Sequence, residues 1–143
     1  MRHFRFYIII ALLGWALSTE AQDLDQHRWK DRLILVYSEE RESKALTQQL
    51  EELASDMKGF EERRLVIYAV SGDYFRKGFK KGPWQRKNQS MDTYFPSEKA
   101  FEVVLLGLDG GVKLRQDHLL TRNKLYSTID AMPMRQRELK NSQ

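Results

Sequence analysis

The stretch Phe101–Arg115 constrains the chain most. Val103-Val104-Leu105-Leu106 is a short, wholly apolar run, the pattern of a strand buried on both faces. Asp109-Gly110 follows and predicts a type I′ hairpin turn, because both central residues of that turn need positive φ and Asp and Gly tolerate it. Val112-Lys113-Leu114-Arg115 then alternates apolar and basic, as a half-exposed strand should.

The chain begins with Arg2 and Arg5, the apolar run Tyr7–Leu17, and Thr19-Glu20-Ala21. That order predicts a secretory signal peptide over residues 1–21, cut after Ala21. The run falls short of the about 20 apolar residues a membrane span needs. Residues 22–143 then form a single domain by size. The chain has no cysteine. A disulfide framework is therefore excluded, and so is every reaction that needs a thiolate. The net charge of +4 gives a weak overall field, so any preference for anions must come from local clustering.

In chain order, Trp29 is expected to pack over the start of the sheet as a plug. Arg32–Ser38 reads as a central strand, again with a continuous apolar run. Ser43 is the expected N-cap of a helix whose stripe is Leu46, Leu50, Leu53, Met57 and Phe60, with Gly59 as the left-handed residue after its last turn. Leu65–Val70 is the second strand, and strand, helix and strand imply a right-handed crossover with parallel strands.

Residues 73–97 read as a long basic-aromatic insertion, followed by the hairpin. Thr121 caps the last helix, with Leu125, Ile129 and Met132 as its stripe; Pro133 stops it, and 134–143 reads as a frayed polar tail. The order β-α-β-β-β-α is that of a thioredoxin-like α/β fold: one four-stranded mixed sheet with helices on its faces.

Most candidate constellations dissolve on inspection. His27 and His118 have no second histidine or cysteine at ligand spacing, so no metal site is expected. Asp117-His118 reads as a surface loop pair. Ser38 and Ser43 lack a nucleophile-elbow context. Asp109-Gly110-Gly111 lacks the lysine-serine ending of a phosphate loop and reads as the hairpin turn. The basic-aromatic insertion carries the functional flavour. Arg76, Lys77, Lys80, Lys81, Trp84, Arg86 and Lys87 would together suit an anionic ligand, charge binding phosphate or sulfate while the ring stacks. The competing reading is a lid whose aromatics pack on the sheet.

Three blocks carry a family resemblance: Arg28–Val36, with Trp29 in it; Leu106–Arg115, with Asp109, Gly110 and Gly111; and Ile129–Gln136, with Pro133. Over about Asp23 to Glu138 the chain resembles the domain of unknown function 4174 family. That family is similar to the repeated domain of certain animal extracellular matrix proteins, including those with sushi repeats. The resemblance implies export and a thioredoxin- or peroxiredoxin-like fold, and brings no catalytic residues with it. Where a thioredoxin has its redox cysteines, this chain has Ser38–Ser43; where a thioredoxin has a cis-proline, it has Lys99-Ala100-Phe101.

The expected function is an exported, periplasmic or extracellular, non-catalytic binding or structural module. No cofactor, no nucleic-acid partner in vivo and no membrane anchor after signal cleavage are expected. Its candidate partners are an anionic glycan, a lipid headgroup or an envelope protein. The alternative is an enzyme of non-thiol mechanism using Glu39, Glu40 and Glu42 at the start of the first helix.

Overall fold

The computed structural model describes residues 23–95 and 99–142; the expected signal peptide and its cleavage site lie outside them. The central strand β1, Arg32–Ser38, pairs in parallel with β2, Leu65–Ser71, and antiparallel with β5, Phe101–Leu106. Beyond β2 lie β3, Tyr74–Lys77, and β4, Gln85–Arg86; beyond β5 lies β6, Val112–Gln116. The sheet order is β4-β3-β2-β1-β5-β6. The helices are α1, Lys44–Ala54; α2, Met57–Glu62; α3, Arg122–Asp130; and α4, Pro133–Asn141.

Period-two alternation explains the unbroken apolar runs. Ile34 and Val36 of β1 face one core layer, with Leu46, Leu50, Leu53, Phe60, Leu125 and Ile129 from the helices. Leu33 and Leu35 face the other, closed by Leu24, Met91, Tyr94 and Phe95 from irregular segments. Both faces are covered, so every β1 side chain from Leu33 to Val36 is buried. Gln49 is buried with them, and its amide exchanges hydrogen bonds with both backbone groups of Leu120 at 2.9 and 2.7 Å.

The sheet has six strands where the sequence predicts four. The two additions arise inside the basic-aromatic insertion. Ser71 pairs with Tyr74 across Gly72-Asp73, a two-residue loop with Gly72 at φ 52°. A glycine at the first central position is the signature of a type II′ hairpin. Conversely, Asp109-Gly110 does not form a type I′ turn: among these residues only Gly110 is left-handed, at φ 79°. The loop is longer, closed by Gly110 N–H to Gly107 O and Gly107 N–H to Gly111 O.

Four further expectations are corrected. The single stripe Leu46–Phe60 is split between α1 and α2, because Asp56 caps a fresh helix by accepting from Gly59 N–H at 3.0 Å. The break shifts the phase, so Met57 is exposed and Gly59 is buried inside α2, not left-handed beyond it. Arg64, at φ 50°, takes the left-handed place instead. The frayed tail is also a helix. Pro133 ends α3's reach and opens α4, where a missing N–H costs nothing. Trp29 is no plug: it is 60% exposed.

Candidate functional site

At the carboxyl end of β1, the segment Glu39–Ser43 turns into α1. This is where ligands collect in open α/β sheets. The turn is latched by hydroxyls. Ser38 Oγ donates to Glu40 O at 2.8 Å and lies 2.6 Å from Ser43 Oγ, which accepts from Leu46 N–H as the N-cap. Ser71 Oγ donates to Glu39 O, and Glu39 N–H donates to Ala100 O. All three serines are thus occupied in holding backbone.

Alongside the first turns of α1 runs a cleft of about 150 Å³. Leu46, Leu50 and Ala54 form one wall and Phe79 another, while Arg41, Arg76 and Lys81 bring positive charge to it. Phe79 is anchored edge-on to Phe60, with ring centres 5.0 Å apart. Arg76 is only 5% exposed. Its guanidinium carbon sits 4.9 Å from the Trp84 ring centre, and Arg41 lies 3.9 Å over Tyr74. Glu42 is the counter-charge, 3.5 Å from Arg76 and 3.9 Å from Lys81. Arg76 Nε is buried without a hydrogen-bond partner.

The basic residues of the insertion are divided by strand alternation. Arg76, Lys81 and Trp84 gather at the cleft. Lys77 points to the other face, 5.9 Å from the Tyr68 ring centre. Lys87 pairs with Asp92 and is largely buried. Lys80 and Arg86 are exposed. Phe75, Phe79 and Trp84 pack against the core layers, as a lid would. Arg41 was not legible as a site residue, because it stands inside an acidic run and only the fold of that turn lays it over Tyr74.

The remaining candidates fall elsewhere. Glu39 and Glu40 are exposed, and the Glu42 carboxylate is shared by two cations. Asp109 accepts from Lys113 Nζ and Gly111 N–H, which together hold its carboxyl below the usual carboxylate range. Gly110 lies against the Arg28 side chain, and Gly111 sits in the same turn. Asp117 and His118 pair at 3.1 Å on the surface.

Sequence reasoning missed one partly buried chain of polar groups. Asp31 Oδ2 accepts from His27 Nδ1 at 2.7 Å, and His27 Nε2 lies 2.7 Å from Tyr68 Oη. Burial, then the Asp31 charge, pushes the Tyr68 phenol up to about 12. The order of groups suits proton relay, but the adjoining gap is about 10 Å³, the lower limit for one water, so no substrate reaches it. Among the described residues no set of three His, Asp or Glu gathers that could hold a metal ion, and no helix is long and apolar enough to cross a membrane.

The family model described as a domain of unknown function (DUF4174) matches residues 23–138. No curated protein matches the chain. Among solved structures, the chain is similar to the reduced 2-Cys peroxiredoxin of Plasmodium vivax, with a TM-score of 0.56 and 15% identity over 80% of this chain and 84% of that one. A malaria parasite thioredoxin-2, described as a component of protein secretion machinery, matches at TM-score 0.49 and 20% identity over 71% of this chain and 84% of that one. The first of these likenesses shows a thioredoxin-like fold.

Proposed function

The chain belongs to the DUF4174 family, and from that membership and the cleft beside α1 we propose that it is an exported, non-catalytic module that binds an anionic group of an envelope or matrix component. The observation that carries this reading is Arg76. A guanidinium 5% exposed, with one nitrogen unpartnered and only a half-exposed carboxylate opposite, is under-satisfied as it stands. A phosphate, sulfate or carboxylate entering the cleft would supply the missing acceptor, and Arg41 and Lys81 would add charge. The apolar wall of Leu46, Leu50 and Phe79 favours a group attached to an apolar body.

The chain has no cysteine, and its equivalent of the redox turn is a hydroxyl latch, so thiol redox chemistry is absent. Glu39 and Glu40 stand in solvent and the Glu42 carboxylate lies against Arg76 and Lys81, which supports binding over non-thiol catalysis.

The test is a calorimetric titration of the full chain with phenyl phosphate across a salt series. Saturable binding that weakens with salt, and that Arg76→Met and Lys81→Ala each diminish, is expected. Absence of saturable binding, or full binding by Arg76→Met, would overturn the reading.

A further inference from the structure

Trp29 and Arg64 are the only non-glycine residues with left-handed backbone among those described, at φ 66° and 50°, and they line the same groove. This groove lies at the amino end of β1, opposite the cleft beside α1. Its volume is about 400 Å³, and Leu108, Met134, Arg137, Glu138, Asn141 and Ser142 complete it.

The groove is built, not residual. Trp29 is fixed by its N–H to Leu108 O at 2.6 Å, and the next two N–H groups both donate to His27 O. His27 is itself pinned by Asp31 and Tyr68. A rigid loop therefore holds an indole out of the core, 60% exposed, beside Met134 at 39%. Arg64 follows the end of α2, where glycine is the residue that adopts left-handed backbone without strain. A strained arginine there, beside a strained tryptophan, marks a position kept for its side chain.

The charge at the groove is also selective. Arg32, Arg63 and Arg135 are all paired with Asp130 or Glu138. Arg64 and Arg137 have no ion pair among the described residues. Glu138, the acid on the groove wall, is hydrogen-bonded by Arg32 and Arg135, and Arg64 acts on it only through its charge, without a hydrogen bond.

We propose that this groove is a second binding site, for an acidic saccharide: a sugar ring lies on the exposed face of Trp29 and its sulfate or carboxylate pairs with Arg64 and Arg137. A flat aromatic face, two guanidiniums outside any close ion pair among the described residues and the Asn141 amide on an open groove match a ring that is apolar on its face, acidic and hydroxylated at its edge. Among the described residues no edge strand lines the groove, so an extended peptide would find no strand backbone there to pair with.

The experiment titrates the full chain with a sulfated dextran oligosaccharide, with the same oligosaccharide lacking sulfate, and with inorganic sulfate as competitor. Saturable binding of the sulfated sugar is expected, with the unsulfated sugar and Trp29→Gly, Arg64→Gly and Arg137→Gln each weaker by about tenfold or more. Arg64→Gly should melt no lower than the parent, since glycine relieves the backbone, so its lost binding would report the missing guanidinium. Arg76→Met should keep the part of the binding that Trp29→Gly and Arg64→Gly lose. Parental affinity in Trp29→Gly and Arg64→Gly, equal affinity for the unsulfated sugar, or displacement by sulfate alone would overturn the proposal. Loss in Arg76→Met with retention in Arg64→Gly would move the sugar to the cleft beside α1 and end the case for this groove.

Discussion

Arg32, the first residue of the central strand and 1% exposed, donates to both carboxylate oxygens of Glu138 in the last helix, at 3.3 and 3.1 Å, across 106 residues of chain. The same guanidinium also donates to Arg63 O at 3.0 Å. This pair is why α4 docks instead of fraying. Burial opposes ionisation of Glu138, but hydrogen bonds from Arg32 and Arg135 outweigh it and hold the carboxyl below its usual range.

Removing one partner of a buried pair leaves the other charge uncompensated. Glu138→Gln should therefore cost about 3 kcal/mol, within the range for such losses. Because the folded-state carboxyl is depressed, its contribution is present above the unfolded carboxylate value and fades as pH falls through the folded one. Urea unfolding of parent and variant at neutral and acid pH should show the two converging toward the acid end. Parallel curves would refute the assignment.

Tyr68 predicts the opposite limb. Its phenol is fully buried and raised from 10.0 to about 12. Below the unfolded value both states are protonated and the contribution is whole; between the two values only the unfolded chain ionises. Stability should thus fall by roughly 2–3 kcal/mol from pH 10 to 12 on account of this group. Tyr68→Phe should lose that part of the alkaline slope, which urea midpoints on either side of pH 10 would read. An unchanged slope in Tyr68→Phe would refute it.

Gly59 sits inside α2, where helix propensity alone favours alanine. A Cβ there would come within 2.3 Å of Asp56 Oδ2 and 2.9 Å of Tyr126 Cε2. Displacing Asp56 removes the cap on Gly59 N–H, so Gly59→Ala should destabilise by about 1–2 kcal/mol in spite of its propensity. A thermal midpoint equal to or above the parent's would count against the close packing.

Arg76 separates function from stability. Its buried charge is incompletely satisfied, and such groups are often replaced by apolar ones without loss. Arg76→Met should therefore leave stability unchanged or higher while weakening anion binding. A drop of about 3 kcal/mol, the scale for a broken buried pair, would instead mark Arg76 as a structural partner of Glu42.

Much of the fold was legible because it depends on local pattern. The apolar runs of β1, β2 and β5 declare strands buried on both faces, and Ser43 and Thr121 cap α1 and α3 as side-chain chemistry requires. The two outer strands were not read from Tyr74–Arg86, because one is short, the other shorter, and both mix aromatic and basic residues. Gly72-Asp73 was the available signal. The basic cluster was legible as composition only. Alternation along β3 sends Arg76 to the cleft and Lys77 to the opposite face, so residues adjacent in sequence do not share a site.

By itself, the sequence determined the fold class and excluded thiol chemistry, since both follow from residue type and spacing. The tertiary structure decided which charges are paired. Arg32 finds Glu138 and Arg63 finds Asp130, while among the described residues Arg64 and Arg137 make no close ion pair beside Trp29. Charge pairing acts over a few ångströms between segments far apart in the chain, and no local pattern encodes that distance.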